Sequence, residues 1–334
     1  MNPPSHRAAF TFRGHMCRTS EMEEKIKSAL GFTKFQRARG GGGGGCINEG
    51  DAYETDQGTV FVKRNSKKDA QLMFDGEFEG LKAILETDTL KVPKPMAVVE
   101  NPKGGAVLVM EYLDMKGLSK YSSQMGTALA KLHLHNAERI ANAENNKSNI
   151  SNPEKCEEQE QLGVQNFGFD VPTCCGYIPM DNTWTVDWPI FYARNRLEYQ
   201  IKLLQENGGD RELMELWSIL QLKIPVFFPK EVKIVPSLLH GDLWSGNAAE
   251  TDTLPVSFDP AAFYGHHEYD LAIAGMFGGF NSQFYNAYHE LIPKTKGFPK
   301  RHKLYLLFHN LNHWNHFGSG YRGSTLSIMR ELVN

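Results

Sequence analysis

The sequence of 334 residues lacks the features of several large protein classes. No apolar run is long enough to span a bilayer, so we expect no membrane partner. The formal net charge of −3 gives no broad electrostatic attraction to nucleic acid. With 41% hydrophobic and 22% charged residues, the composition predicts a soluble globular protein with enough length for two lobes.

Cysteine is also sparse, with five residues in the chain. An odd number of cysteines in a chain this long does not make a disulfide framework, and it indicates a reducing compartment, so we expect a cytoplasmic location. Cys174 and Cys175 are adjacent and lack the two-residue gap of a zinc knuckle. We interpret them as small buried hydrophobic residues.

The first 20 residues contain three arginines and no acidic residue, a composition typical of a mitochondrial transit peptide. The segment lacks periodicity, however, and a clearer helical pattern begins at Met22. We therefore expect residues 1–21 to be a disordered N-terminal extension, with mitochondrial targeting as the alternative.

The segment 240–247, His-Gly-Asp-Leu-Trp-Ser-Gly-Asn, has the spacing of a phosphoryl-transfer loop. Protein kinases carry an aspartate that accepts a hydroxyl proton and, five positions on, an asparagine that holds Mg²⁺. Asp242 and Asn247 have that spacing, and Asp259 follows a short apolar run. The pattern predicts Asp242 as the catalytic base, with Asn247 and Asp259 as ligands of Mg²⁺.

A glycine run at 40–45 precedes a turn at 55–58 and a strand that ends at Lys63. This order predicts a β-hairpin. Backbone without Cβ atoms can approach phosphate oxygens closely, so we expect the run to contact ATP, although a flexible linker has the same composition. The glycines expected to contact ATP are Gly43, Gly44 and Gly45.

Residues 70–86 place their apolar side chains on one helical face, and Glu77 falls inside that face. A carboxylate on an inward face is strongly destabilised unless it is paired. Lys63 is the natural partner, because a strand lysine paired with a helix glutamate holds the phosphates of ATP in kinases. The alternative is a glutamate at the rim of the apolar stripe.

A buried strand is predicted at 107–110, and it runs into a hinge between lobes. Backbone at this hinge would face the adenine of ATP, and its residues are Met110, Glu111, Tyr112 and Leu113. A helix follows, with Met125, Leu129 and Leu132 at positions i, i+4 and i+7. The polar segment 136–161 predicts a solvated insertion or mobile loop, and the last third of the chain is expected to be mainly helical.

Together these motifs resemble the fructosamine-3-kinase and ketosamine-3-kinase family. The match extends from about Met22 to the end of the chain. It includes four further strings, which are Phe167-Gly168-Phe169, Thr173-Cys174-Cys175-Gly176, Phe263-Tyr264-Gly265-His266 and Leu311-Asn312-His313-Trp314-Asn315-His316-Phe317-Gly318. The resemblance implies an α+β, bilobal, protein-kinase-like fold of the aminoglycoside and choline kinase type, with a small β-rich N-lobe at 22–111 and a larger helical C-lobe at 112–334.

The resemblance also implies phosphorylation of the C3 hydroxyl of a ketosamine by ATP and Mg²⁺, on a glycated protein or a free ketosamine. Ribulosamines and psicosamines are the expected sugars, with fructosamine as a further candidate. Phosphate at C3 becomes a leaving group for β-elimination, after which the sugar departs from the nitrogen as a dicarbonyl and the amine is restored. Two alternatives remain: a kinase of an amino alcohol or aminoglycoside, and a nucleotide-binding pseudokinase that acts as a scaffold.

The resemblance further assigns Lys63 to the α and β phosphates, with Glu77 holding it. Trp244 is a candidate platform for the sugar or its amine, with packing between lobes as the alternative, and His240 is a second substrate candidate. Family precedent also suggests that oxidation joins Cys46 to Cys46 of a second chain, giving a disulfide-linked homodimer; a passive loop cysteine is the alternative.

Three histidines, His309, His313 and His316, share one helix face. Aromatic residues interleave with them and no carboxylate or cysteine is near in sequence, so we interpret them as structural or substrate-pocket residues rather than metal ligands. Asp270 is expected to cap a helix or to anchor the catalytic loop.

Overall fold

The computed structural model describes residues 16–44, 48–101, 104–149 and 162–334. Within these ranges the chain is a mixed α and β protein that divides into two compact units. The first unit is Met1–Gln71 with Met96–Tyr112, and the second is Leu72–Pro95 with Leu113–Asn334. No helix in the described ranges is both long and apolar enough to cross a membrane.

The first unit contains one helix and a five-stranded sheet. The strands are ordered β1-β2-β3-β5-β4, and β1/β2, β2/β3 and β3/β5 pair antiparallel. The elements are α1 (Met16–Leu30), β1 (Phe35–Gly44), β2 (Glu49–Thr55), β3 (Gly58–Asn65), β4 (Pro95–Glu100) and β5 (Ala106–Glu111).

The predicted turn before Lys63 is confirmed as a two-residue hairpin between β2 and β3. Thr55 lies opposite Gly58, and its hydroxyl donates to the Gly58 carbonyl oxygen at 2.7 Å. Gly58 has φ of +112°, a conformation that a residue with a Cβ rarely adopts. The buried side chains of Val62 and Val109 then join Ile26 of α1 in one apolar cluster, which fixes the face of the sheet.

Helix α1 begins at Met16, six residues before the predicted start at Met22. The boundary expected at residue 21 therefore falls inside a helix. The physical reason is that neither glycine nor proline occurs between Gly14 and Gly31, so nothing in the sequence interrupts the helix before that glycine. Gly31 ends it with φ of +70°.

The second unit is mainly helical, as expected for the last third of the chain. Its helices are α2 (Ala70–Glu86, whose first two residues belong to the first unit), α3 (Ser122–Asn149), α4 (Trp188–Phe191), α5 (Tyr199–Glu206), α6 (Arg211–Lys223), α7 (Glu268–Met276), α8 (Ser282–Leu291), α9 (Phe298–Phe317) and α10 (Arg322–Val333). Its short strands are β6 (Lys116–Gly117), β7 (Thr173–Cys175), β8 (Ile178–Met180), β9 (Ser237–Leu239), β10 (Ala248–Glu250), β11 (Pro255–Ser257) and β12 (Phe263–Gly265).

Helix α2 has the bounds that its apolar pattern predicts, but α3 corrects another prediction. The segment 136–161 was predicted to be a solvated insertion or mobile loop, but residues 136–149 continue α3, and residues 150–161 lie outside the described residues. Asn136 explains part of the difference, because its side chain is buried and donates to the carbonyl oxygens of Val164 and Pro236 at 2.8 and 2.7 Å. Polar composition alone gave the wrong structure here, since a buried polar group with partners is compatible with a helix.

Helices α3 and α8 approach closely at Gly126. A Cβ added to Gly126 would lie 2.1 Å from the carbonyl oxygen of Phe284, which is backbone and cannot move aside as a side chain can. The glycine is therefore required by the packing of the two helices. This contact matters for the site described below, since α3 and α8 both contribute side chains to it.

We expect Gly126→Ala to lower the free energy of unfolding by about 1–3 kcal/mol, because the methyl group overpacks this contact. Chemical denaturation monitored by circular dichroism measures the change. Gly323→Ala is the matched control, since nothing lies within 4 Å of a Cβ at that helical position. Equal stability of the Gly126 variant and wild type would contradict the packing argument.

Candidate active site

The loop predicted for phosphoryl transfer follows strand β9, which pairs antiparallel with β12. The loop turns at Gly241, whose φ is +83°. A Cβ at this position would lie 2.0 Å from the carbonyl oxygen of Ala261, and the Ala261 amide donates to the His240 carbonyl oxygen at 2.9 Å. Only glycine fits between these backbone segments, so the residue fixes the path of the chain into Asp242.

Asp270 in α7 anchors the loop, as one of the two predictions for it states. Its completely buried carboxylate accepts hydrogen bonds from the backbone amides of His240 and Gly241, each at 2.8 Å. Burial acts to raise the pKa of Asp270, but the hydrogen bond and charge of His133 and the Gly241 amide outweigh it, and the net pKa is lowered. The carboxylate therefore stays ionised and holds both amides.

Sequence reasoning missed the residues that hold Asp270 in place. His133 in α3 bonds Asp270 at 3.0 Å through Nε2 and the Tyr288 hydroxyl at 2.8 Å through Nδ1. The Tyr288 hydroxyl, in α8, also lies 3.1 Å from Nδ1 of His267. The one available signal was a histidine beside the apolar stripe of α3, where an unpartnered polar side chain would be destabilising.

His240, a substrate candidate, is completely buried beneath the loop. Its Nδ1 accepts from the Asp242 amide at 3.4 Å. Burial lowers its pKa to about 4, so the ring is uncharged at neutral pH. A buried ring that bonds the Asp242 amide suits a structural role in the loop. Contact between His240 and a substrate stays a prediction.

Asp242 and Asn247 meet at the top of the loop. The Asn247 side-chain nitrogen donates to the Asp242 carbonyl oxygen at 2.9 Å and to its carboxylate at 3.2 Å. Asn247 also accepts, through its backbone oxygen, the amide of Phe258 at 3.1 Å. Because β10 and β11 form a hairpin with Ala248 opposite Ser257, Asn247 and Asp259 lie just beyond its paired ends.

Asp259 has an unusual backbone conformation, with φ of +56°. A proline follows it, and the residue before proline normally prefers extended backbone. Non-glycine residues in the left-handed region are uncommon and concentrate at functional sites. The observation supports a functional reason for the placement of this carboxylate.

Trp244 lies over its own loop and is partly exposed. A Cβ on Gly246 would come within 2.2 Å of the indole ring, so the glycine makes room for it. The ring also contacts Phe277 edge to face, with centroids 5.6 Å apart. Within the second unit Trp244 therefore presents an aromatic surface beside Asp242, which is compatible with the proposed platform.

The residues predicted to contact ATP are divided between the units. Lys63 in β3, Gly43 and Gly44 in β1, and Met110, Glu111 and Tyr112 belong to the first unit, whereas Glu77 and Leu113 belong to the second. The side chains of Lys63 and Glu77 are both buried. Their ion pair stays a prediction, as do the hinge contacts. Gly45 and Cys46 lie outside the described residues.

The glycine strand is part of the sheet. Gly43 lies opposite Gly50 and Gly44 opposite Glu49, after an irregularity between Arg37 and Gly42. The hairpin predicted at the 55–58 turn is the one between β2 and β3, whereas the pairing of β1 with β2 was not predicted. Cys174 is partly buried and Cys175 buried, and both are free thiols, in agreement with their interpretation as structural residues.

The histidine row on α9 is structural at its buried end. His309 is completely buried, and both of its ring nitrogens lack a hydrogen-bond partner among the described residues. Burial lowers its pKa to about 3. His316, at the other end, accepts the Tyr177 amide at 3.1 Å through Nε2.

Comparison with known proteins identifies relatives that match most of the chain. A family model for fructosamine kinase matches residues 19–334. The chain is 56% identical to ketosamine-3-kinase of Mus musculus over 314 residues, covering 93% of this chain and 99% of that protein. It is 41% identical to a chloroplastic protein-ribulosamine 3-kinase of Arabidopsis thaliana, covering 87% of this chain and 81% of that protein.

Solved structures agree on the fold. A fructosamine-3-kinase from Thermobifida fusca superposes with a TM-score of 0.72 at 24% identity, covering 93% of this chain and 98% of that one. An aminoglycoside phosphotransferase in complex with ADP and hygromycin B superposes with a TM-score of 0.55 at 11% identity, covering 94% and 98%. The predicted α+β fold class is therefore confirmed.

We expect Asp270→Asn to lower the free energy of unfolding by about 3 kcal/mol, because an amide cannot accept from both backbone amides and leaves His133 without its carboxylate. Hydrogen exchange at the amides of His240 and Gly241 should become faster than in wild type. Asp252→Asn, which removes an exposed carboxylate bonded to Lys116, is the control and should change neither quantity. Unchanged protection of both amides in the Asp270 variant would contradict the anchoring role.

His309 gives a prediction about pH. The unfolded chain binds a proton at this histidine below about pH 6.5, whereas the folded chain does so near pH 3, so its neutral form stabilises the fold at neutral pH and that stability is lost as pH falls. In His309→Leu the loss of stability between pH 7 and 5 should shrink by about 2 kcal/mol. Denaturation at several pH values measures it. Phe308→Leu, a change at the buried neighbouring residue, is the control and should keep the wild-type dependence of unfolding free energy on pH. The same pH dependence in His309→Leu as in wild type would refute the assignment.

Proposed function

The chain belongs to the fructosamine kinase family, and from this membership we propose in detail how it phosphorylates ketosamines. Its activity is that of a ketosamine-3-kinase, a phosphotransferase with an alcohol acceptor that leads to deglycation. We propose ATP as the phosphate donor and the C3 hydroxyl of a ribulosamine or psicosamine, on a glycated protein or a free amine, as the acceptor.

The observation that carries the proposal is the loop of Asp242 and Asn247, held by the buried carboxylate of Asp270. Catalysis of phosphoryl transfer depends mainly on positioning and on electrostatic stabilisation, because the reaction asks little covalent chemistry of the protein. Two charge-assisted hydrogen bonds to Asp270 fix the backbone of the loop, and a fixed backbone provides such positioning. Nothing in the family's catalytic set is substituted, which weakens the scaffold alternative.

The donor atoms at the site fit Mg²⁺, which prefers oxygen ligands. Asn247 uses its side-chain nitrogen within the loop, so its Oδ1 is the atom suited to a cation. Asp259 adds a carboxylate just beyond the β10–β11 hairpin. Bound Mg²⁺ would neutralise charge on the phosphate oxygens, and Asn247 and Asp259 are the residues that would hold it.

We assign Asp242 the task of orienting the acceptor hydroxyl and accepting its proton. Once the C3 oxygen carries phosphate, the neighbouring C2 ketone enolises toward C1, and the phosphate leaves by β-elimination without further help from the protein. Lys63 of the first unit is the proposed contact to the phosphates of ATP, supported by Glu77. The Cys46 homodimer and the cytoplasmic location stay predictions.

We expect Asp242→Asn to lower kcat at least about 100-fold while leaving ATP affinity close to that of wild type, since the change removes the proton acceptor and keeps the shape. ADP release with ribulosamine, psicosamine and fructosamine acceptors measures kcat, and calorimetry measures ATP binding. Thr253→Ala, an exposed change in the β10–β11 turn, is the control.

Each alternative function has its own result in that assay. Turnover with an amino alcohol or aminoglycoside in place of any ketosamine would favour the second acceptor class. ATP binding without turnover of any acceptor would favour the scaffold. An Asp242→Asn enzyme with full activity would remove the assignment of the base.

A further inference from the structure

A row of five aromatic rings leads away from the catalytic loop across the second unit. Trp244 contacts Phe277, and Phe277 contacts His313 with ring centroids 5.3 Å apart. His313 then contacts Tyr321 at 5.0 Å and Phe317 at 5.5 Å. Phe277 is 46% and Phe317 62% exposed, although large aromatic side chains are normally buried. The aromatic row therefore presents apolar surface that the fold itself does not cover.

The loop after α7 joins this row to the catalytic loop by a second contact. Gly279 has φ of +93°, and a Cβ on it would lie 2.2 Å from Cβ of Ser245. The segment after α7 therefore contacts the catalytic loop twice, through Phe277 on Trp244 and through Gly279 on Ser245. The row is continuous with the active site rather than an isolated surface patch.

Phe277 also lines a mainly apolar pocket in the second unit. It has a volume of about 410 Å³ and lies between α7, α9 and α10. Phe277 and Tyr321 of the aromatic row line it, together with Leu306, Ile328, His302 and Asn310. Its volume falls in the range of small-ligand pockets, which are about 300–1,000 Å³ and are lined mostly by apolar side chains.

The polar groups in the pocket are few and mostly satisfied. Asn310 donates to the Leu306 carbonyl oxygen at 2.9 Å and accepts from the Ser324 hydroxyl at 2.7 Å. Nδ1 of His302 is buried without a partner among the described residues. A pocket of this kind favours an apolar occupant, because a charged group would lose part of its hydration there.

The chemistry of a ketosamine directs one part of it toward this pocket. Its nitrogen is attached to C1, two carbons from the hydroxyl-bearing C3, so the nitrogen lies close to Asp242 when C3 is phosphorylated. Whatever the nitrogen carries must then lie on the surface around Asp242, and Trp244 is two residues from Asp242 in the same loop. The aromatic row begins beside Asp242, and aromatic faces attract both a protonated amine and its methylene groups.

We propose that the apolar group carried by the ketosamine nitrogen lies along the aromatic row and ends in this pocket. The inference rests on the proposed function and adds a specificity determinant to it: ketosamines with a long apolar substituent on nitrogen are preferred to those with a short or charged one. In a glycated protein the substituent is the lysine side chain, and an apolar residue next to that lysine would occupy the pocket.

The test compares psicosamines made from methylamine, from hexylamine and from 6-aminohexanoate. We expect kcat/KM of the hexyl compound to exceed that of the methyl compound at least about tenfold, because each methylene in an apolar pocket adds binding energy. The compound made from 6-aminohexanoate should have a kcat/KM close to that of the methyl compound, because its carboxylate is disfavoured in the pocket. Equal kcat/KM across the three would overturn the proposal. Calorimetry without ATP should show the same order of affinities, so that a failure of phosphorylation and a failure of the pocket are separate outcomes.

A pair of variants on α10 locates the effect. Ile328→Trp fills the pocket and should remove the hexyl preference while kcat/KM of the methyl compound stays within about twofold of wild type. Ser327→Trp places the same side chain at an exposed neighbouring position and should keep the preference. A hexyl preference that survives Ile328→Trp in a protein with a normal melting temperature would also overturn the proposal.

Discussion

One buried carboxylate holds the candidate catalytic loop, residues 240–247, in place. Asp270 accepts from the backbone amides of two consecutive loop residues, and His133 fixes its orientation. A buried charge without such partners would be strongly destabilising, so the partners and the loop conformation depend on each other. This contact holds the backbone at Gly241, where the chain turns into Asp242. The side chain of Asn247 then donates to Asp242.

The hairpin of β10 and β11 extends this order to the second candidate metal ligand. Asn247 precedes the hairpin and Asp259 follows it, so the hairpin places both residues at its open end. The left-handed backbone at Asp259 indicates that the fold places this carboxylate against local preference. The candidate site thus combines Asp242, in a loop held by hydrogen bonds, with Asp259, whose backbone is strained. Groups held in fixed positions are suited to electrostatic catalysis.

Local patterns in the sequence predicted local structure well. The apolar face at 70–86 predicted α2, and the spacing of Asp242 and Asn247 predicted that these two residues belong to one loop, where they are hydrogen-bonded. Contacts between distant residues were not predictable, because no periodicity links His133 to Asp270, which lie 137 positions apart. The polar composition of 136–149 led to a wrong prediction of a loop for the same reason. Partners from elsewhere in the chain, such as Val164 for Asn136, allow a polar segment to be helical. The apolar pocket likewise depends on three helices that meet only in the fold.

The central claim is that this loop transfers phosphate to the C3 oxygen of a ketosamine. The most direct measurement is ³¹P–¹H correlation NMR on a psicosamine incubated with the protein, ATP and Mg²⁺, followed by mass spectrometry of the amine. The account predicts a phosphate coupled to the proton on C3, followed by loss of the sugar and recovery of the free amine. Phosphate on another hydroxyl, or a stable adduct after phosphorylation, would contradict it.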